Sequence, residues 1–154
     1  LERDVRTALR KFYHMASGQM DVGLMPDKPA NADLLSDLPD PEHLGAWMSD
    51  ADLDFYVSEF SRSGFRGPLN YYRNHNLTWE LTEGAPTQIQ QPALFVAGDR
   101  DGVIAMAAQA LENMPTYVTD LRVNALIPGI GHWTQQEAAE ATNEYLLDWL
   151  ASLG

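Results

Sequence analysis

Two short apolar runs constrain this chain more than anything else in it. Ala93-Leu-Phe-Val-Ala97 is continuously apolar and ends in Gly98-Asp99, and Leu121–Ile127 is a second run of strand character. The first run, with no polar alternation, suits a strand covered on both faces, the habit of parallel sheets. The spacing between them predicts a helix over about Val103–Asn113. After them Thr134-Gln-Gln-Glu137 has the form of a capping box. It opens a helix expected to reach about Ser152, with Ala138, Ala141, Tyr145, Leu146, Trp149 and Leu150 as its buried stripe. Residues 86–154 therefore read as a β-α-β-α unit. Two parallel strands do not make a stable sheet alone, because each needs neighbours and helices on both faces. The remaining strands must be supplied from elsewhere, by a missing N-terminal half or by another copy of the chain.

Residues 1–85 follow a different pattern. Leu1, Val5, Leu9, Phe12 and Met15 recur at helical spacing, predicting an amphipathic helix over Leu1–Ser17. Gly18–Glu42 has no period and holds Pro26, Pro29, Pro39 and Pro41, so it is expected to be a long surface excursion. Its apolar Val22, Leu24, Met25, Leu34 and Leu35 suggest contact with something lipophilic. Asp40-Pro41 is a plausible start for a short helix carrying Leu44 and Trp47. Ser49 is a natural N-cap for a helix with Leu53, Tyr56, Val57 and Phe60 on one face, ending at Gly64. Pro68 is expected to begin a further helix through Leu81.

Charge and cysteine usage remove several functions. Of 154 residues, 22 are acidic and 10 basic, for a formal charge of −12. That balance argues against a nucleic-acid backbone or an anionic membrane surface as partner. The chain has 0 cysteines, which excludes a disulfide framework, a zinc–cysteine cluster and a thiol nucleophile. No apolar run approaches the ~20 residues that span a bilayer, and a cytoplasmic setting is expected. The chain opens Leu1-Glu-Arg-Asp4, with neither an initiator methionine nor a signal peptide, and is expected to be cut from something longer.

Three features could carry chemistry. Gly98-Asp-Arg-Asp101 lies at the carboxyl end of the first strand, where open α/β sheets place ligands. It is also ordinary turn composition. Pro128-Gly-Ile-Gly-His132-Trp133 ends the second strand at the same edge. A histidine held in a glycine-rich strand-to-helix turn suits general-base work near neutral pH, though it can equally cap or solvate the turn. An acid after one strand and a histidine after the next follow the order in which an α/β-hydrolase triad ends. The third feature is Gly64-Phe-Arg-Gly-Pro-Leu-Asn-Tyr-Tyr72-Arg-Asn74. Taken alone, its tyrosines Tyr71 and Tyr72 are better explained by packing than by function.

That last stretch resembles the cap signature of the α/β-hydrolase-fold epoxide hydrolases of the soluble type, and the resemblance extends along essentially the whole chain. Asp54-Phe-Tyr-Val-Ser-Glu-Phe60 is similar to the cap helix before the signature, Asp101 to the acid of the G-x-x-D turn, and His132-Trp133 to the family's Gly-His-Trp. The resemblance implies the C-terminal part of such a fold: a helical cap over 1–85 lacking its N-terminal end, then the last part of the core over 86–154. It implies Tyr72, Asp101 and His132 as catalytic residues, with Tyr72 and Trp133 touching substrate. The nucleophilic Asp, the oxyanion loop and the first cap tyrosine are expected before Leu1, and Tyr13 is assigned to packing.

The family reaction opens an epoxide through an alkyl-enzyme ester, gives a vicinal diol and needs no metal or organic cofactor. A small lipophilic epoxide is the implied substrate. This chain, lacking the nucleophile, is expected to be inactive alone. Three alternatives stand beside this reading. A haloalkane or haloacid dehalogenase of the same fold could use Trp47 or Trp79 as halide donors. An esterase would differ in the absent nucleophile. An inactive fragment or swapped-assembly module would have no chemistry of its own.

Overall fold

The computed structural model describes residues 1–20, Pro29 and 31–154. Most of the proposed excursion's apolar residues, Val22, Leu24 and Met25 among them, lie outside the described residues.

The elements run α1 (Val5–Met15), α2 (Asp50–Ser63), α3 (Arg66–Arg73), α4 (His75–Leu81), β1 (Ala93–Gly98), α5 (Gly102–Met106), α6 (Ala108–Tyr117), β2 (Leu121–Ile127), α7 (Thr134–Glu137) and α8 (Ala139–Ala151). Asp4 caps α1 by accepting from the Thr7 N–H. Ser49 caps α2 in a reciprocal box in which Asp52 Oδ2 accepts from the Ser49 N–H at 3.0 Å. Each such cap satisfies backbone donors that the first helical turn leaves unpaired.

Helices α1 and α2 pack together around Ala8, Leu9, Leu35, Leu38, Met48, Leu53 and Phe65. Burying one Leu of this kind is worth roughly 1.5–3 kcal/mol. Arg6 pairs with Asp54 across the two helices, and Arg10 holds Asp40 at 2.6 Å. The short helix expected after Asp40-Pro41 does not form, since residues 41–48 are turns and bends. Leu44 and Trp47 reach the core from those turns, so packing outweighs local helix propensity there.

The helix expected over Pro68–Leu81 begins two residues earlier and divides. Arg66 opens α3, which puts Pro68 in the first turn, where a missing N–H costs nothing. The chain then breaks at Asn74 and resumes as α4. The helix expected over Val103–Asn113 likewise divides at Ala107 and runs on to Tyr117, with Pro115 in its last turn.

Strands β1 and β2 pair in parallel from Ala93↔Leu121 to Gly98↔Ile127, and a bridge between Ile89 and Val118 extends the ladder. The register skips Arg122, whose guanidinium donates to the Ser152 carbonyl at 2.9 Å. Among the described residues this is a 2-stranded sheet. Burial on both faces, expected for the two strands, is not what the structure has. In β2, Arg122, Asn124 and Leu126 are exposed, and β1 is fully buried only at Ala97 and Gly98. The expected buried stripe of the last helix is also corrected: Tyr145, Leu146 and Leu150 are 38%, 41% and 48% exposed. Two strands cover too little area to bury a helix face. Among the described residues, no helix is long and apolar enough to cross a membrane.

Candidate active site

The site is built where β1 and β2 end. After Gly98 the chain turns sharply: Asp99 N–H donates to the Ile127 carbonyl at 3.1 Å and Arg100 N–H to the Ile130 carbonyl at 2.9 Å. A side chain at Gly98 would meet the Ile130 carbonyl oxygen at 2.1 Å, so only glycine lets the two turns approach so closely. Asp99 Oδ1 accepts from the Gly129 N–H at 2.7 Å. The post-β1 turn therefore grips the post-β2 loop by backbone and side chain.

Within that grip Asp101 and His132 meet. His132 Nδ1 stands 3.0 Å from Asp101 Oδ2, and Asp101 Oδ1 accepts from the Val103 N–H at 2.9 Å as the cap of α5. The carboxylate is buried, with its side chain 11% exposed, whereas the imidazole is 46% exposed. With a proton on Nδ1 the ring donates to Asp101, which leaves Nε2 as the basic, outward nitrogen. Among the described residues Nε2 has no hydrogen-bond partner. The arrangement suits removal of a proton from water at Nε2 while Asp101 fixes the tautomer.

The loop around His132 is held by a residue that sequence reasoning underrated. Glu137 Oε2 accepts from the Gly18 N–H at 2.8 Å and the Gly131 N–H at 3.2 Å, and Oε1 accepts from the Trp133 N–H at 3.2 Å. The expected capping box over Thr134–Glu137 is thus shifted. Thr134 is the first helical residue, its buried hydroxyl donates to the Gly131 carbonyl at 3.3 Å, and Trp133 is the N-cap. The acid reaches back to the cap amide as a box requires, but it also spans to Gly18, 119 positions away in sequence. No local pattern signals that second partner.

Trp133 stands at the same junction. Its indole N–H donates to the Tyr13 carbonyl at 2.8 Å, and its ring lies 4.7 Å from that of Tyr13 and 5.0 Å from the imidazole of His132. Tyr13 also packs against Tyr56 and Trp47. Burial, aided by the neighbouring Tyr56 phenol, pushes its phenol up to about 12.

Tyr72 is placed differently. It lies near the end of α3, 63% exposed, with its ring 5.7 Å from Tyr71 and 5.8 Å from His75. Its hydroxyl has no hydrogen-bond partner among the described residues. The structure brings Asp101, His132 and Trp133 together, and no hydrogen bond or ring contact joins Tyr72 to them. Trp79 is 81% exposed, and the Trp47 indole N–H is buried without a hydrogen-bond partner among the described residues. A cleft of about 430 Å³ between the chain start and α3, lined by Leu1, Glu2, Phe65, Arg66, Leu69 and Arg73, holds none of these residues.

No family model matches the chain. Epoxide hydrolase B of Mycobacterium tuberculosis is 44% identical over 114 residues, which is 73% of this chain and 32% of that protein. The structure of an epoxide hydrolase from an endophytic Streptomyces superposes with a TM-score of 0.91 at 38% identity, covering 99% of this chain and 47% of that one. Epoxide Hydrolase A from Mycobacterium thermoresistibile superposes with a TM-score of 0.86 at 36% identity, covering 98% and 47%. The chain spans less than half the length of these relatives. What it matches is a C-terminal portion, and it belongs to the epoxide hydrolases of the α/β-hydrolase fold.

Proposed function

We propose that this chain supplies the acid–base machinery of an epoxide hydrolase, with the nucleophilic Asp outside it. The observation that carries the reading is the 3.0 Å contact of Asp101 with His132 at the carboxyl edge of the sheet. In this reading residues 1–85 form a lid over a core to which 86–154 contribute. The nucleophilic carboxylate attacks an epoxide carbon, the C–O bond of the ring breaks, and an ester forms. The alkoxide takes its proton from the Tyr72 hydroxyl. His132 then removes a proton from water, and the hydroxide adds to the ester carbonyl. The ester's acyl C–O bond breaks, and the imidazolium returns its proton to the departing oxygen. The proton released with the regenerated carboxylate restores Tyr72. One epoxide and one water give one vicinal diol.

Trp133 presents its ring beside His132 and so belongs to the wall that a lipophilic substrate would touch. A cysteine-free chain fits a cytoplasmic setting. The apolar surface left open on β2 and α8, Leu126, Leu146, Leu147 and Leu150 included, supports a partner in the missing N-terminal half or in another copy.

The test is diol formation from a lipophilic epoxide, by the full gene product and by the 154-residue chain alone. The reading expects turnover by the former and none by the latter. Turnover by the 154-residue chain as a monomer would overturn the assignment of the nucleophile.

A further inference from the structure

Gly18 lies three residues beyond the end of α1, and both its N–H and its carbonyl are held. Its N–H donates to Glu137 Oε2 at 2.8 Å, and its carbonyl accepts from Arg100 Nη1 at 2.6 Å. The same Glu137 carboxylate takes the N–H groups of Gly131 and Trp133, the residues on either side of His132. The N–H of His132 itself donates to the Ala16 carbonyl at 2.8 Å. Three consecutive amides, 131 to 133, are therefore fixed, two by Glu137 and one by the exit of α1. Side chains are excluded from the crossing: a Cβ on Gly18 would meet the Gly129 carbonyl oxygen at 2.2 Å, and one on Gly131 would meet the Gly18 nitrogen at 2.3 Å.

We propose that Glu137 is a positioning residue for His132, and that it ties the direction of the imidazole to the exit of α1 through Gly18. The proposal rests on the reading of His132 as the base. Asp101 fixes one nitrogen of the ring, which leaves the ring free to swing with its backbone. Glu137 removes that freedom. A carboxylate accepting backbone amides makes charge-assisted bonds, stronger than those a neutral amide would offer. Because one oxygen serves Gly18 and Gly131 together, a displacement of the α1 exit reaches His132 directly. Placing a base to within a fraction of an ångström is worth large factors in rate.

The experiment uses the full gene product with Glu137→Gln, Glu137→Asp and, as a control on the exposed side of α8, Glu140→Gln. NMR reads the His132 Nδ1 proton and the hydrogen exchange of Gly18, Gly131 and Trp133. In Glu137→Gln the exchange at those three amides is expected to rise about tenfold or more. The Nδ1 resonance should broaden or vanish, while Val96 and Ala125 in the strands stay protected. Glu137→Asp should recover part of the signal, and Glu140→Gln should match the wild type. Unchanged exchange in Glu137→Gln would overturn the proposal. So would equal loss across both strands, or unfolding of both variants, since the carboxylate would then hold the whole fold rather than the loop. If the wild-type protein makes no diol while the exchange pattern is as expected, the catalytic reading falls and Glu137 stands as the residue that holds the His132 loop.

Discussion

Asp101 serves His132 and helix α5 with one carboxylate, Oδ2 at 3.0 Å from the imidazole and Oδ1 at 2.9 Å from the Val103 N–H. An amide in its place can keep the cap while reversing the polarity at the ring. Asp101→Asn is therefore expected to fold and to hold the wrong tautomer, losing roughly 10³–10⁴-fold in turnover. Single-turnover kinetics of the full gene product should put the loss in ester hydrolysis. A loss confined to ester formation would count against His132 as the base.

Tyr72 is 63% exposed and its hydroxyl has no hydrogen-bond partner among the described residues, so Tyr72→Phe should leave the melting temperature within a degree or so of the wild type. If the phenol protonates the opening epoxide, ester formation should slow roughly 100-fold or more. Equal slowing of both half-reactions would contradict that role.

Two glycines should respond in opposite directions. Gly131→Ala puts a methyl group 2.3 Å from the Gly18 nitrogen and is expected to cost about 1–3 kcal/mol. Gly67 lies in α3 with nothing within 4 Å of its missing Cβ, so Gly67→Ala should gain about 0.4–1 kcal/mol by restricting the unfolded chain. Urea unfolding of both variants measures the pair.

The Tyr13 phenol, held near 12 by burial against an ordinary 10.0, predicts alkaline sensitivity. Its stabilising contribution is whole below pH 10. As pH rises from 10 to about 12 the unfolded chain loses the proton while the folded one keeps it, so stability falls across that window. Denaturation midpoints measured from pH 9 to 12 should decline more steeply in wild type than in Tyr13→Phe.

The order of strands and helices was legible because it rests on local signals: the apolar run at Ala93–Ala97, the cap at Ser49 and the stop at Gly64. The acid and histidine could be placed at one edge because parallel strands send both carboxyl ends the same way. What escaped was set by distant partners. Trp47 reaches the core from a turn because Tyr13 and its neighbours await it, not because its own segment is helical. The breaks at Asn74 and Ala107 carry no glycine or proline to announce them. Glu137 was visible as the right acid in a capping pattern, and Gly18 as a loop residue. Their meeting depends on the exit of α1 reaching the loop after β2, which no spacing encodes.

The crossing at Gly18, Gly98 and Gly131 also limits how such enzymes can be recombined. A chimaera that grafts another relative's helical segment onto residues 86–154 inherits a seam with room for bare backbone and nothing more. The donor must bring glycine at the position of Gly18, whatever else it changes, or the loop that carries His132 will be displaced by the first carbon of the newcomer's side chain. That seam admits far less variation than the exposed faces of α3 and α4.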